Sequence, residues 1–289
     1  MSEIIFVTCN EFPELQPGDR ILADRLIEKG VDVKAVPWND PGWGNEEKSN
    51  FAGADIILIR STWDYFMHVD KFSQWLDALS SFGNVLNRPS LMRWNMTKTY
   101  LGELEDAGVA IVPTRFCAPT PTAINDTIEK LEIDEAVVKP VVGGGASELT
   151  IIQKSDALSI QKAANRLTHS AMVQPLLSSV KTEGEISLIY FDGEFSHGVL
   201  KRPKSGDIRV QEEHGGTTKR INASAQMVAF GSKVLHACPG DTPCIARIDI
   251  VPIDGDFYVM EAELIEPELF FNYAPEQAEV FADLLVQKL

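Results

Sequence analysis

Apolar residues in this chain fall in two rhythms, short unbroken runs and stripes spaced three or four apart, and these alternate through the first third. Residues 3–9, EIIFVTC, form one run and predict a buried strand. Gly18 and Asp19 then open RILADRLIEKG, whose apolar positions Ile21, Leu22, Leu26 and Ile27 predict a helix closed by Gly30 as a C-cap. VDVKAVPW predicts a second strand, PGWGNEEKSN a turn-rich loop, and ADIILIR a third strand that ends in the polar loop RSTWDY. A helix through KFSQWLDALSSFG and a short strand NVLN follow. Strand–helix alternation with strands this apolar predicts a parallel α/β sheet, assigned to a domain over residues 1–92.

The pattern then changes. A helix over TKTYLGELEDAG leads to strand-like VPTRF and a helix over INDTIEKLE, with Thr122 as its expected cap. AVVKPVVGGGASELTIIQ predicts strand, glycine loop and strand, and DALSIQKAANRL a further helix. These make a small α+β domain over 93–174. From MVQPLL onward the prediction is mainly strand, through GEISLIYFDGEFSHGVLKRP and CIARIDIVPIDGDFYVMEAEL. A helix near ASAQMVAFGSKVLHA lies between them, and EQAEVFADLLVQKL closes the third domain, 175–289, as a helix.

Composition narrows the function classes. A net charge of −16 opposes general binding to nucleic acid or anionic membranes, so an anionic ligand would need a local nest of cations. No apolar run is long enough to cross a bilayer. MSEIIFVTCN has neither a basic n-region nor a long apolar h-region, so no signal peptide is expected. Four cysteines without a CxxC pair fit a reducing cytoplasm, the expected location.

The most informative segment is the hairpin IARIDIV–FYVMEAEL. Arg247, Asp249 and Val251 alternate on one face of its first strand; Val259, Glu261 and Glu263 do so on the second. A two-residue turn at Asp254-Gly255 would set Asp249 opposite Met260, whereas a three-residue turn sets it opposite Glu261 and Arg247 opposite Glu263. Only the second register segregates charge from apolar residues, and it is the one expected. Opposed carboxylates repel unless a cation lies between them, and a set made only of oxygen ligands suits Mg²⁺ or Mn²⁺. The competing reading is the exposed charged face of an edge hairpin, against which the apolar flanking strands argue.

Three weaker signals accompany it. In VVKPVVGGGAS a strand lysine, Lys139, precedes Gly143, Gly144 and Gly145, and such a loop lets backbone N–H groups approach phosphate. It is neither a GxxxxGK[ST] loop nor a GxGxxG turn opening a helix, and a flexible surface hairpin is the alternative. Lys98, Lys139, Lys201, Arg209 and Arg247 lie among apolar or glycine-rich neighbours and could converge as a cation nest; singly, each reads as structural. The connection in MVQPLLSSVKTEGEIS can present backbone groups to a flat heteroaromatic ring, with Glu185 placed to accept from ribose hydroxyls, or it is a plain linker.

In this order the pieces resemble the ATP-grasp superfamily over roughly residues 88–270. The resemblance implies the ATP-grasp fold: a parallel α/β domain, a small central lid and a mainly antiparallel C-terminal domain. It implies that Lys98 and Lys139 contact ATP phosphates and that Gly143, Gly144, Gly145, Ala146 and Ser147 close over them. Gln174, Pro175, Leu176 and Leu177 would hold adenine, Glu185 the ribose, and Asp249, Glu261 and Glu263 two Mg²⁺ ions. The family usually has asparagine where this chain has Glu263, which adds charge at the second metal. Arg247 would stabilise the transferring phosphoryl group. HGVLKRPKSGDIRVQEEHGG resembles the glutathione-synthetase-like branch, in which Arg209 and Lys201 join the catalytic set. RSTWDY, LKRP and RVQEEHGG look closest to ligases related to the cyclase of cycloserine biosynthesis. That marks Arg60, Trp63, Asp64 and Tyr65 as substrate-site candidates, with core packing as the alternative for Trp63 and Tyr65.

The function implied is Mg·ATP-dependent carboxylate–amine ligation of a small amino-acid-like substrate through an acyl phosphate. Alternatives are an intramolecular cyclo-ligase, a nucleotide-binding protein without catalysis, and a metal-dependent hydrolase, which leaves the glycine loop unexplained. No nucleic-acid or membrane partner is expected, and a homodimer through the N-terminal sheet is inferred from the family.

Overall fold

The first strand, β1 (Glu3–Thr8), is apolar from Ile4 to Val7 because both its faces are covered: Ile4 and Phe6 enter one core, Ile5 and Val7 another. The computed structural model describes residues 2–40, 50–79, 84–145 and 148–289. Helix α1 (Pro17–Glu28) begins on a proline and ends where Gly30, at φ 83°, lets its own N–H and that of Val31 return to the last carbonyls. Strands β2 (Asp32–Pro37) and β3 (Ile56–Ile59), helix α2 (Val69–Leu79) and strand β4 (Asn84–Leu86) complete a parallel sheet of order β2-β1-β3-β4. Residues 41–49 of the predicted loop and the predicted helix end SSFG at 80–83 lie outside the described residues.

A short helix that was not expected, α3 (Pro89–Asn95), precedes α4 (Tyr100–Asp106), which lies within the helix expected over TKTYLGELEDAG. The second sheet is antiparallel and follows as β5 (Arg115–Cys117), helix α5 (Pro121–Lys130), β6 (Glu135–Pro140), β7 (Thr150–Gln153), helix α6 (Ala157–Arg166) and β8 (Ala171–Pro175). Its order is β5-β8-β6-β7. Thr120, not Thr122, caps α5: its hydroxyl accepts from Ala123 N at 3.3 Å, and Pro121 follows as the first helical residue.

After the short helix α7 (Ser178–Thr182) come β9 (Glu185–Phe191), β10 (Glu194–Arg202), β11 (Thr217–Ile221), helix α8 (Ala225–Ala237), β12 (Ile245–Ile253), β13 (Asp256–Glu263) and helix α9 (Pro275–Gln287). The five strands form an antiparallel sheet, β11-β10-β9-β12-β13. Helix α9 joins it to the first sheet: Phe191 stacks on Phe281 at 4.3 Å within a core that also holds Ile4 and Phe6.

The β12–β13 hairpin corrects one expectation and keeps another. Its turn has two residues, Asp254 at φ 53° and Gly255 at φ 90°, the left-handed pair a tight hairpin needs. Yet Asp249 faces Glu261 and Arg247 faces Glu263, because the register shifts between Asp249 and Ile250. Met260 is the extra residue of a β-bulge. The bulge also moves Val259 to the Ile250 side, where it is buried, and not to the side of Glu261.

Strand β13 is an edge of its sheet, contrary to expectation, but that edge is covered. Val259 N donates to Ala110 O at 3.0 Å and Val259 O accepts from Val112 N at 3.0 Å. Ala262 N donates to Tyr100 Oη at 2.9 Å, and Asn95 bonds both Ala262 O and Leu264 N at 2.8 Å. Asn87 ties the end of the first sheet to the third through Ile245 O at 2.7 Å and Leu264 O at 2.8 Å. Backbone groups that would otherwise be orphaned are thus met by buried amides.

His197 on β10 is buried, and its Nε2–H donates to Leu269 O at 2.8 Å. Burial pushes its pKa down to about 4, with the Leu269 bond acting in the opposite sense. The unfolded chain therefore takes up this proton near pH 6.5, while the folded chain stays neutral until about pH 4. Stability held above pH 6.5 is lost as pH falls, by about 2.5 kcal/mol between pH 7.5 and 4.5. Urea titrations of wild type and His197→Gln should show that extra loss in wild type alone; parallel losses would contradict it.

Candidate functional site

A cavity of about 450 Å³ opens where the three sheets meet. Strand β6 contributes Lys139, β9 Glu185, β10 Lys201, β12 Arg247 and Asp249, and β13 Glu261 and Glu263. Lys98, just before α4, and Arg209, between β10 and β11, complete the predicted cations. Gly143, Gly144 and Gly145 line the cavity, whereas Ala146 and Ser147 lie outside the described residues. Gln174, Pro175, Leu176 and Leu177 line it as β8 runs toward α7.

The charges on the third sheet are paired in a chain. Asp249 is buried and accepts from Ser187 Oγ at 2.5 Å, Arg247 Nη2 at 3.0 Å and Lys201 Nζ at 3.2 Å. Lys201 also meets Glu185 at 2.5 Å, Arg247 meets Glu263, and Lys98 meets Glu261 at 2.8 Å. Burial alone would raise the Asp249 carboxyl, but Arg247 and Lys201 outweigh it and hold it well below the usual carboxylate range. Glu261 is likewise lowered against burial, by Lys98 and Lys139. Glu263 goes the other way: burial, helped by Glu261 and Asp249, raises it to about 7 despite Arg247.

Lys139 differs from its neighbours. Burial lowers its pKa, and among the described residues it has no hydrogen-bond or ion-pair partner. Its ammonium faces a cavity in which the other lysines are engaged.

The glycine loop lines the same cavity, and Lys98 Nζ donates to Gly143 O at 2.8 Å. A Cβ on Gly144 would come within 3.1 Å of the Phe66 ring, and His214 Nε2 donates to Gly145 O at 3.2 Å. Where β8 leads into α7, Leu176 N is taken by Glu135 O at 2.9 Å and Gln174 Nε2 by Thr114 Oγ1 at 2.9 Å. Leu177, Val180, Val210 and Met260 form an apolar slot beside it. Met260 lines the cavity because it is the bulge residue; no periodicity in the sequence marks it.

For Mg²⁺ the donor chemistry fits: Asp249, Glu261 and Glu263 offer carboxylate oxygens on paired strands. Among the described residues no three acidic, histidine or cysteine groups converge in ready metal-binding geometry. The three carboxylates are instead turned to Lys201, Arg247 and Lys98.

Of the predicted substrate residues, Trp63 lines the cavity, while Arg60, Asp64 and Tyr65 do not. Arg60 is buried, with Nε on Asp19 at 2.8 Å and Nη2 on Pro267 O at 3.0 Å. Asp64 accepts from Trp38 Nε1 at 2.6 Å and Asn39 Nδ2 at 2.9 Å, and Tyr65 packs on Phe72. Sequence reading missed several wall residues, among them Gln16, Gly18, Glu268, Phe270, Asn272 and Tyr273. For the last four the only signal is that EPELFFNY follows the acidic strand directly.

Three sheets around a cation-lined cavity, one of them parallel and two antiparallel, are the ATP-grasp fold. Within that fold the chain resembles DcsG. Residues 4–87 match the family model described as the N-terminal domain of D-cycloserine synthetase DcsG. The cycloserine biosynthesis protein DcsG of Streptomyces lavendulae is 28% identical over 278 residues, 90% of each chain. A crystal structure of D-cycloserine synthetase DcsG superimposes with a TM-score of 0.85 at 24% identity, over 99% of both chains. The ATP-grasp ligase PsnB, complexed with minimal precursor, Mg and ADP, aligns with a TM-score of 0.66 at 15% identity, over 99% of this chain and 96% of that one. Among the described residues no helix is long and apolar enough to cross a membrane.

The Asp19–Arg60 pair has 6% and 2% side-chain exposure, so removing one partner strands the other's charge. Arg60→Met should cost about 3–5 kcal/mol in urea unfolding, and Asp19→Asn/Arg60→Met should recover part of it. Unchanged stability would show that Arg60 carries no such structural load.

Proposed function

We propose that the chain joins a carboxylate to a nitrogen nucleophile of a small amino-acid-like substrate, using Mg·ATP and an acyl phosphate. The observation that carries this is Lys139, a half-buried ammonium that has no protein partner among the described residues and lines a cavity whose other lysines are paired. A triphosphate supplies the missing partner. Lys98 and Lys139 contact the phosphates, and Gly143, Gly144 and Gly145 close over them. Adenine lies in the slot of Leu177, Val180, Val210 and Met260, along the hinge from Gln174 through Pro175 and Leu176, and Glu185 takes the ribose hydroxyls.

Asp249, Glu261 and Glu263 would hold Mg²⁺, two ions by resemblance or Mn²⁺ in their place, which offsets charge on the β- and γ-phosphates when bound. Arg247, Lys201 and Arg209 orient and stabilise the reacting groups. A substrate carboxylate oxygen attacks the γ-phosphorus and the bond to the β-phosphate oxygen breaks, releasing ADP. The nitrogen then attacks the acyl carbon, the C–O bond to phosphate breaks, phosphate leaves and the nitrogen loses a proton. The closed loop keeps water from the acyl phosphate meanwhile.

The likeness to DcsG over nine-tenths of both chains favours an intramolecular version, with carboxylate and nitrogen on one O-ureidoserine-type molecule. ADP release with O-ureidoserine alone, and with pairs of small amino acids, separates the two forms. Turnover with the single compound supports cyclisation, and a requirement for two compounds supports intermolecular ligation. Glu261→Gln should lower either turnover by at least about 100-fold, because a metal-ligand charge is lost. ADP release without any organic substrate dependence would refute the ligase reading.

A further inference from the structure

We propose that Glu268 binds the ammonium group of a free, zwitterionic amino-acid substrate, an inference that rests on the ligase reading and names its substrate class. Every other buried or half-buried carboxylate on the cavity wall has a cation: Glu185 has Lys201, Asp249 has Arg247 and Lys201, Glu261 has Lys98, and Glu263 has Arg247. Glu268 lines the same cavity and, among the described residues, has neither hydrogen bond nor ion pair. Burial, the largest influence on it, raises its pKa, while Arg247 and Arg60 pull it down and Asp19 and Glu212 push it up. A carboxylate so placed is completed by a ligand cation.

The backbone around it is fixed on both sides. Pro267 O accepts from the buried Arg60 Nη2 at 3.0 Å, and Leu269 O from the buried His197 Nε2 at 2.8 Å. One residue earlier, Glu266 O accepts from Trp63 Nε1 at 3.4 Å. Three tethers within four residues of one loop hold the backbone of Glu268 at a set position, which is what preorganised recognition requires. Arg60 and Trp63, marked from the sequence as substrate residues, thus act on this carboxylate through the main chain.

The surroundings define the ligand. Glu268 Oε1 lies 3.9 Å from where a Cβ on Gly18 would stand, so the wall opposite is bare backbone at the start of α1 and leaves room for a small group. Two residues on, the Phe270 ring carries the Arg247 guanidinium at 5.6 Å. A substrate whose carboxylate lies toward Arg247 can therefore set its α-ammonium on Glu268. In a cyclisation of the O-ureidoserine type, that amine is not the nucleophile and is free to serve as the recognition handle. A desamino or N-acylated analogue leaves Glu268 unpaired.

The test compares wild type, Glu268→Gln and Glu268→Asp. The probes are O-ureidoserine, its desamino counterpart and the small amino acids glycine, alanine and serine, read by ADP release. Binding of a non-hydrolysable ATP analogue with Mg²⁺ is measured alongside. Glu268→Gln should raise KM for the amino compound about 10- to 100-fold. It should leave nucleotide affinity, kcat and activity on the desamino compound near wild type, and Glu268→Asp should restore part of the loss. Equal effects on amino and desamino compounds, or nucleotide binding without stimulation by any of these amino acids, would overturn the inference and leave the nucleotide site standing. Failure of wild type to bind nucleotide would instead sink the ligase reading itself.

Discussion

The ion-pair chain on the third sheet, from Glu185 through Lys201, Asp249 and Arg247 to Glu263, is the constraint on which the site depends. Its members are buried or half-buried, where an unanswered charge costs several kcal/mol, so each must find a partner. The pairing fixes where each head group points and keeps Asp249 ionised. It also divides the cations of the cavity into those already satisfied and Lys139, which is not. That imbalance distinguishes a binding site from a structural charge cluster. An all-protein network closes on itself, whereas this one, among the described residues, leaves an ammonium at one place and, at Glu268, a carboxylate at another.

Geometry for this network comes from one inserted residue. Without the bulge at Met260, a two-residue Asp254-Gly255 turn would set Asp249 against Met260 and bury Glu261 among the apolar residues of the opposite face. The bulge restores the charged pairs, sends Val259 into the core and aims Met260 at the cavity. An edge strand bent in this way is exposed to mispairing. Tyr100, Asn95 and the segment at Ala110–Val112 close that edge, so elements outside the sheet hold the metal-ligand candidates in register.

The fold was legible wherever burial imposes a period. EIIFVTC and ADIILIR read as buried strands because both faces of the parallel sheet are packed. The Asp249–Glu261 and Arg247–Glu263 pairs were legible because charge segregates from apolar residues in only one register, although the turn that achieves it was not. The helix α7 and the strand β11 were missed because five residues carry too little periodicity. The cap of α5 went to Thr122, since Thr120 and Thr122 are equivalent in composition and only Pro121 at the first helical position separates them. Of the candidate site, the cations and carboxylates could be read because isolated charges among apolar residues require partners. Arg60, Asp64 and Tyr65 could not be separated from Trp63, because contacts with Asp19, Trp38 and Phe72 are tertiary facts. Glu268 lay hidden in a loop without a repeat.

The central claim is that the unpaired Lys139 ammonium awaits a phosphate. Calorimetric titration of a non-hydrolysable ATP analogue into wild type and Lys139→Met, with and without Mg²⁺, tests it most directly. The account predicts Mg²⁺-dependent binding to wild type and about 10- to 100-fold weaker binding to a normally folded Lys139→Met. Equal affinity in the two proteins, or none in wild type, would contradict it.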